Sequence, residues 1–526
     1  MTTKPVLIDG NWVEADAVGT FQAMNPNTRE PMDETYPVSG WGDLDRCLNA
    51  ATEAAEELRL CPGKDIAAFL EAFAEEIESV ADELVEMAYQ ETALPVSPRL
   101  KDVELPRTTG QLRQAAAAAK TGTWRQATLD TQLNIRSGYL GLGPVAVFGP
   151  NNFPFAFGSV SGGDFASAIA AGNPVIGKAN SSHPGTTRLF GEAALRAIEK
   201  TGLPRATVQL IYRTEHSDGV RLASDPRLSA LGYTGSRSAG LKLKAAADEV
   251  GTPIYLELSS INPVVILPGA LSERGEELVG EFAGSCLMGT GQFCTNPGIV
   301  FLIEDSNSNH WLEGVTKAFA DTAAGTLLST GVEANLKEGI DELVRAGATR
   351  LTPAGEAATD RCSLPNTLLS VSGSLFIEKP EAFQAEAFGN ESLIVVCSGL
   401  EELVSALRLV EGNLTGCVYS AADGSDDEAY HSVESVLRTR VGRLLNDKMP
   451  TGVAVSPAMN HGGPFPATGH PGTTAVGMPA SIHRFAMLAC YDAVRPERLP
   501  SWLQDDPGEE LIWRSVDGTY QQGSLG

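Results

Sequence analysis

From residue 143 to residue 267 the chain alternates short, branched, apolar runs with longer stretches of helical texture, and no other feature narrows the fold as far. The apolar runs fall at 143–149, 174–178, 207–211, 228–234 and 254–258. Between them lie a small-residue helix at 158–171 and helical stretches at 185–200, 217–223 and 236–250. Strands apolar along their whole length are buried on both faces, and parallel neighbours need a crossover long enough for a helix. The alternation therefore predicts an α/β fold with a mostly parallel sheet covered on both sides. A second block, with a strand at 264–267, a helix at 275–288 and a strand at 298–303, predicts a second α/β domain. Ahead of both, residues 43–91 space apolar side chains helically (Leu48, Ala51, Ala55, Leu58; Phe69, Phe73, Ile77). Residues 112–120 read as a further helix and 124–137 as an extended arm, while 304–309 and 421–428 read as surface loops.

Charge and cysteine usage exclude several functions. The 526 residues carry 39 Lys and Arg against 66 Asp and Glu, a formal net charge of -27 with no local basic patch, so nucleic acid and anionic membrane surfaces are not expected partners. No run of about 18 apolar residues is present to cross a bilayer. Residues 1–11 lack the basic and apolar regions of a secretory signal, so a cytoplasmic location is expected. The eight cysteines are scattered, with no C-x-x-C pair and no histidine spacing of a zinc site; neither a disulfide scaffold nor a metal centre is expected.

In sheets of this kind ligands bind beyond the carboxyl ends of the strands. Asn152 follows the first strand, Lys178 ends the second, Arg213 follows the third, Gly235 follows the fourth and Glu257 ends the fifth. A carboxylate ending an apolar strand is costly to bury without a partner, which marks Glu257 as functional. Gly291-Gln292-Phe293-Cys294-Thr295 lies with its cysteine 37 positions after Glu257. Thiols attack as thiolates, and an unperturbed thiol of pKa roughly 8.5 is only a few per cent ionised at neutral pH, so the site must activate it. A cysteine nucleophile with a carboxylate base points to covalent chemistry on a carbonyl.

Six stretches in fixed order carry a resemblance that spans nearly the whole chain: Gly149-Pro150-Asn151-Asn152-Phe153-Pro154, Gly172-Asn173-Pro174-Val175-Ile176-Gly177-Lys178, Tyr233-Thr234-Gly235-Ser236, Glu257-Leu258-Ser259, Gly291-Gln292-Phe293-Cys294 and Glu386-Ala387-Phe388-Gly389. They resemble the aldehyde dehydrogenase superfamily. The resemblance implies a Rossmann-type dinucleotide-binding domain from residues 1–122 and 141–263 and a catalytic domain at 264–480. It also implies a small oligomerisation arm from 123–140 and 481–526, in a homodimer or homotetramer. Cys294 would attack an aldehyde, the Asn152 side chain and the Cys294 N–H would hold the oxyanion, and Glu257 would activate the water that cleaves the thioester; one oxyanion donor is typically worth roughly a hundred- to a thousand-fold in turnover. Lys178 matches the lysine that meets the adenine-ribose hydroxyls, Gly235 and Ser236 the helix start near the pyrophosphate, and Glu386 and Phe388 the clamp on the nicotinamide ribose. Many NAD-preferring relatives carry a ribose-binding glutamate three residues past that lysine. Ser181 stands there in this chain, and with Lys178 and Arg213 it suits a 2'-phosphate, so NADP is expected ahead of NAD.

A narrower resemblance rests on Arg107-Thr-Thr-Gly-Gln111-Leu-Arg113, on residues 460–468 (Asn460-His461-Gly462-Gly463-Pro464-Phe465-Pro466-Ala467-Thr468) and on Trp513-Arg514-Ser-Val-Asp517-Gly518. These look like 2-oxoglutarate semialdehyde (2,5-dioxopentanoate) dehydrogenases and their fatty-aldehyde-oxidising relatives. They imply oxidation of that semialdehyde to 2-oxoglutarate, with Arg107 on a remote carboxylate and Phe153 and Phe465 as apolar tunnel wall. The competing readings are a medium- or long-chain fatty aldehyde dehydrogenase, a CoA-acylating enzyme in which a second thiol replaces water, a simple thiol esterase and a catalytically silent binding protein. Glu257 favours water over a second thiol, and an esterase leaves Lys178 and Glu386 unexplained. The chain departs from the wider family at Asn151, where tryptophan is common, and at Asn390-Glu391, where Pro-Val is frequent.

Overall fold

The computed structural model describes residues 3–508 and 512–525. Its first seven-stranded sheet runs, edge to edge, Ile254–Glu257, Ala230–Thr234, Val145–Phe148, Val175–Lys178, Val208–Ile211, Val6–Ile8 and Asn11–Val13. The first five are parallel, and the last two close the edge in antiparallel fashion. Parallel register aligns their ends: Phe148 pairs with Lys178, Lys178 with Ile211, and Thr234 with Glu257. The residues that follow those positions consequently open onto one face.

The second seven-stranded sheet runs Thr349–Arg350, Thr367–Ser372, Glu391–Cys397, Ile299–Ile303, Val264–Ile266, Asn413–Tyr419 and Val441–Asn446, parallel except for its first pair. A five-stranded sheet joins Ala486–Asp492, Ile135–Gly141, Thr128–Asp130, Arg514–Val516 and Thr519–Gln521, so segments more than 300 residues apart form one layer. Part of the narrower signature belongs to this scaffold. Arg514 is fully buried and donates to Gln504 O, and the Asp517 carboxylate accepts from the Thr131 N–H and hydroxyl at 2.8 and 2.6 Å.

Four helical boundaries differ from the sequence reading. The stretch 158–171 is helical only over Gly163–Ala170, because residues 152–162 fold tightly on themselves; a Cβ on Gly162 would lie 2.5 Å from the Phe157 backbone. Residues 304–309 do not form a loop throughout: the helix Ser306–Asp321 starts there, nucleated by a reciprocal cap in which Asp305 and Ser308 each bond the other's backbone N–H. In the stretch 421–428, Asp426 accepts from the N–H groups of Gly269, Ala270 and Ala421, and a helix begins at Asp427. The helix read at 275–288 spans Pro268–Leu287, interrupted by the non-helical Arg274.

The Asn390-Glu391 departure has a structural consequence. Asn390 donates to Leu364 O and Asn366 Oδ1, while the buried Glu391 carboxyl leaves Oε1 without a partner among the described residues. Burial pushes this acid up to about 8, against the pull of Arg350, so it is held protonated at neutral pH. Its folded value exceeds the ordinary 4.5, so its contribution to stability is complete below pH 4.5 and is lost as pH rises through 8. Glu391→Gln is therefore expected to raise Tm relative to the parent by an amount that grows between pH 5 and pH 9 in calorimetry; a difference independent of pH would contradict the assignment.

Candidate active site

Residues 461–468 are strapped across the end of the strand Ile254–Glu257. Leu258 N donates to Ala467 O at 2.8 Å, and Glu257 forms an antiparallel bridge with Thr468. The crossing is tight: a Cβ on Gly463 would stand 2.3 Å from Asn413 O, so only glycine passes there. The strap delivers His461, 2% exposed, with Nε2 at 2.9 Å from Glu257 Oε1 and 3.6 Å from Cys294 Sγ. Thiol, imidazole and carboxylate thus form one group, with His461 and Glu257 buried and Cys294 half-buried. His461 was not among the residues singled out by sequence; it was visible only as part of a signature, since no local spacing ties it to Glu257, 204 positions away.

The cysteine loop is held on every side. Gly291 has φ +68, and a Cβ there would lie 2.0 Å from Gly389 O, so only glycine lets the two loops touch. Gln292 Oε1 accepts from Leu328 N at 2.8 Å, and Asn262 Nδ2 donates to the Cys294 and Asn296 carbonyls at 2.9 and 2.8 Å. Asn152 donates from Nδ2 to Gln292 O at 3.1 Å, which sets its amide beside the backbone entering Cys294 and leaves a second N–H on that nitrogen. Its own loop is pinned by Arg99, which donates to Asn152 O, and by the buried Glu104, which accepts from Phe155 N and Ala156 N.

The electrostatics set the resting protonation. Burial, reinforced by the Glu257 charge, pushes the Cys294 thiol well above its ordinary range. Burial opposes ionisation of Glu257, but the His461 charge and hydrogen bond outweigh it and hold that carboxyl low. The resting site is a neutral thiol beside an ionised carboxylate, with the His461 Nε2–H bonded to that carboxylate, so the group suited to take the thiol proton is Glu257.

Phe153, Phe157 and Phe293 pack together, Phe153 at 5.2 and 5.5 Å from the other two, and Phe157 lies 5.7 Å from the His461 ring. Arg107 stands behind this wall, 5.2 Å from the Phe157 ring, with Nη1 donating to Val453 O at 2.6 Å and with buried Nε and Nη2 lacking partners among the described residues. A second arginine not anticipated from sequence, Arg443, holds Pro450 O and Gly452 O of the same loop. Phe465 is not part of the wall. It is 54% exposed and lies 5.4 Å from the Arg237 guanidinium.

On the opposite side, Lys178 Nζ donates to Ala179 O and sits 5.2 Å over the Phe148 ring. Burial and the nearby Arg213 charge push it down to about 8. Arg213 is exposed on the short strand Arg213–Thr214, and Ser181 lies in the turn after Lys178. The Gly235 N–H is spent on Glu257 O at 3.1 Å, so Gly235 joins two strand ends, while Ser236 caps the helix Arg237–Val250 by accepting from Ala239 N. Burial pushes Glu386 up to about 7 despite bonds from Ser259 and Ser260, and Phe388 packs against the core beside it.

A mostly parallel sheet whose strand ends face a thiol, an imidazole and a carboxylate is the arrangement of an oxidoreductase acting on a carbonyl. Residues 12–463 match the Aldehyde dehydrogenase family, and the chain belongs to it. It is 41% identical to Alpha-ketoglutaric semialdehyde dehydrogenase 2 of Azospirillum brasilense, over 93% of this chain and 94% of that protein. It is 34% identical to Alpha-ketoglutaric semialdehyde dehydrogenase of Acinetobacter baylyi, over 98% of both. Among solved structures, aldehyde dehydrogenase C of Pseudomonas syringae, crystallised with NAD+ and octanal, shares the fold with a TM-score of 0.79 at 19% identity, covering 95% of this chain and 98% of that one. Lactaldehyde dehydrogenase of Escherichia coli does so with 0.78 at 21%, covering 93% and 98%.

The protonated thiol has a measurable signature. In the enzyme without ligands, alkylation of Cys294 by iodoacetamide should keep climbing with pH beyond about 9, where a thiol of pKa roughly 8.5 levels off. His461→Gln should slow it at pH 7.5 by at least about tenfold. A plateau near pH 8 together with an unchanged rate in the variant would remove His461 from the activation of sulfur.

Proposed function

We propose that the chain oxidises 2-oxoglutarate semialdehyde to 2-oxoglutarate through a thioester on Cys294, using NADP+ at least as well as NAD+. The observation that carries the substrate is Arg107. Its free Nε and Nη2 share one edge of the guanidinium, the edge that takes a carboxylate in bidentate fashion, and a buried cation with open donors is costly until an anion completes it. Phe153 and Phe157 pack beside the Arg107 guanidinium and, with Phe293, form one apolar cluster, which would suit the short methylene chain of a substrate carrying an aldehyde at one end and a carboxylate at the other. A fatty aldehyde offers Arg107 nothing. The names of the two relatives at 41% and 34% identity support the same reading.

In this reading the Cys294 proton leaves by way of the Glu257 carboxylate to solvent as sulfur bonds to the aldehyde carbon, with the His461 Nε2–H bonded to that carboxylate, and the Asn152 amide with the Cys294 N–H holds the oxyanion. When bound, the nicotinamide dinucleotide supplies the hydride acceptor. Glu257, ionised and bonded to His461, is then the base for the water that releases the acid. Two cations, Lys178 and Arg213, face the cofactor side, with Ser181 in place of a ribose-binding carboxylate. An anionic 2'-phosphate relieves their mutual repulsion, so Lys178, Ser181 and Arg213 would hold it, while Ser236, Glu386 and Phe388 would meet the remainder of the dinucleotide.

A second copy of the chain is the expected partner. The strand Ala486–Asp492 ends its sheet with one edge unpaired among the described residues and exposes Met487 and Leu488, at 50% and 59%, a surface that pairing between copies would cover. No helix among the described residues is long and apolar enough to cross a membrane, and all eight cysteines are free, in keeping with a reducing cytoplasm.

Steady-state assays on 2-oxoglutarate semialdehyde, succinic semialdehyde and a long-chain aldehyde test the substrate. Arg107→Ala should raise KM for the first at least about tenfold and leave that for a neutral aldehyde of similar length unchanged; equal effects would remove the carboxylate role. For the cofactor, Lys178→Ala should cost NADP+ at least about tenfold more in kcat/KM than NAD+. A parent enzyme that prefers NAD+ tenfold would overturn that assignment.

A further inference from the structure

Cys294 Sγ, His461 Nε2 and a Glu257 carboxylate oxygen lie within 4.8 Å of one another, with His461 and Glu257 buried and Cys294 half-buried. We propose that this group is also a binding site for a thiophilic divalent cation, with zinc as the reference ion, and that its occupancy switches the active site off reversibly.

The donor set is the first argument. One thiolate, one imidazole and one carboxylate are the ligand types that a borderline-soft ion such as zinc accepts, and three protein ligands leave a fourth position for water. Geometry is the second. Zinc bonds of about 2.3 Å to sulfur and about 2.0–2.1 Å to nitrogen, at a tetrahedral angle, put the two atoms about 3.6 Å apart. Sγ and Nε2 stand at 3.6 Å. Glu257 Oε1 is 2.9 Å from Nε2, where neighbouring tetrahedral corners need about 3.3 Å, so the carboxylate moves by a few tenths of an ångström. Its other oxygen, Oε2, is buried without a partner among the described residues and offers a second donor atom.

Charge is the third argument. A thiolate and a carboxylate together cancel the charge of a divalent ion, so the complex is buried with no net charge, whereas a thiolate beside an ionised Glu257 with no cation present is a like-charge pair. On binding, the S–H proton and the proton held between His461 Nε2 and Glu257 leave to solvent, and three metal–ligand bonds form with no change of oxidation state. Nucleophile and base are then occupied at once, and the sulfur is shielded from oxidants. The ligands come from a strand end, a loop and the strap, which is why the sequence contains no zinc-like spacing. The inhibitory consequence rests on the catalytic reading of Cys294 and Glu257; the binding itself does not.

Cobalt(II) and zinc are the probes, added to the full chain without substrate or dinucleotide. One cobalt per chain is expected, with a near-ultraviolet thiolate-to-cobalt band and the visible bands of a tetrahedral site. Cys294→Ser, or prior alkylation of the parent with iodoacetamide, should abolish the thiolate band, and His461→Gln should weaken zinc at least about tenfold in chelator competition. Zinc at the loading concentration should stop aldehyde oxidation, and EDTA should restore it fully. Absence of the thiolate band, or zinc held equally tightly after Cys294 is blocked, would overturn the proposal. A missing band alongside normal aldehyde turnover would sink this site and leave the proposed reaction intact; a cobalt band in a chain that oxidises no aldehyde would do the reverse.

Discussion

Everything at the active site depends on one backbone crossing, where residues 461–468 pair with the end of the strand Ile254–Glu257 through Leu258 N to Ala467 O and the Glu257–Thr468 bridge. A carboxylate at the end of a buried strand is unstable as an isolated charge, because burial alone drives it toward protonation. The crossing supplies the imidazole that reverses this, and the same imidazole reaches the sulfur. The strap thus fixes the base and its imidazole partner together and sets both against the cysteine loop.

The surrounding structure is built to keep that arrangement rigid. Asn262 grips the carbonyls on both sides of Thr295, Gln292 is bonded through its side chain to Gly289 and Leu328, and the Asn152 loop is clamped by Arg99 and Glu104. Asn262, Gln292 and Glu104 are buried polar side chains bonded to backbone groups, the pattern that specifies a single loop conformation at the cost of desolvating an amide or acid. Arg107 is the exception, anchored by one nitrogen and open on its other edge, and the exception falls where a substrate anion would lie. The cations at Lys178 and Arg213 repeat the theme on the cofactor side. Within a chain of net charge -27, such positive groups are isolated and local, not a diffuse attraction for polyanions.

How much of this was readable beforehand differs from residue to residue. The five parallel strands were legible because apolar runs separated by crossovers leave few alternatives, and Asn152, Lys178, Gly235 and Glu257 follow from that sheet by position. The helix starting at Ser306 was missed because its cap, Asp305 with Ser308, sits in an acidic stretch whose composition suits a loop. That Phe465 is 54% exposed and apart from the other three phenylalanines was not legible, because hydrophobicity does not say which side of a strap a ring takes. His461 escaped as a site residue because its partners are 167 and 204 positions away, and no periodicity or local spacing encodes such a contact.

By itself, the sequence determined the α/β architecture, the edge of the sheet at which chemistry occurs, and the presence of a thiol and a carboxylate suited to a carbonyl. It did so because those properties are carried by short-range patterning and by residues at strand ends. Tertiary structure alone decided that an imidazole stands between them, that Arg107 keeps a free edge behind an aromatic wall, and that Phe465 faces outward. These are outcomes of chain crossings and side-chain packing between segments hundreds of residues apart, and they exist only once the chain has closed on itself.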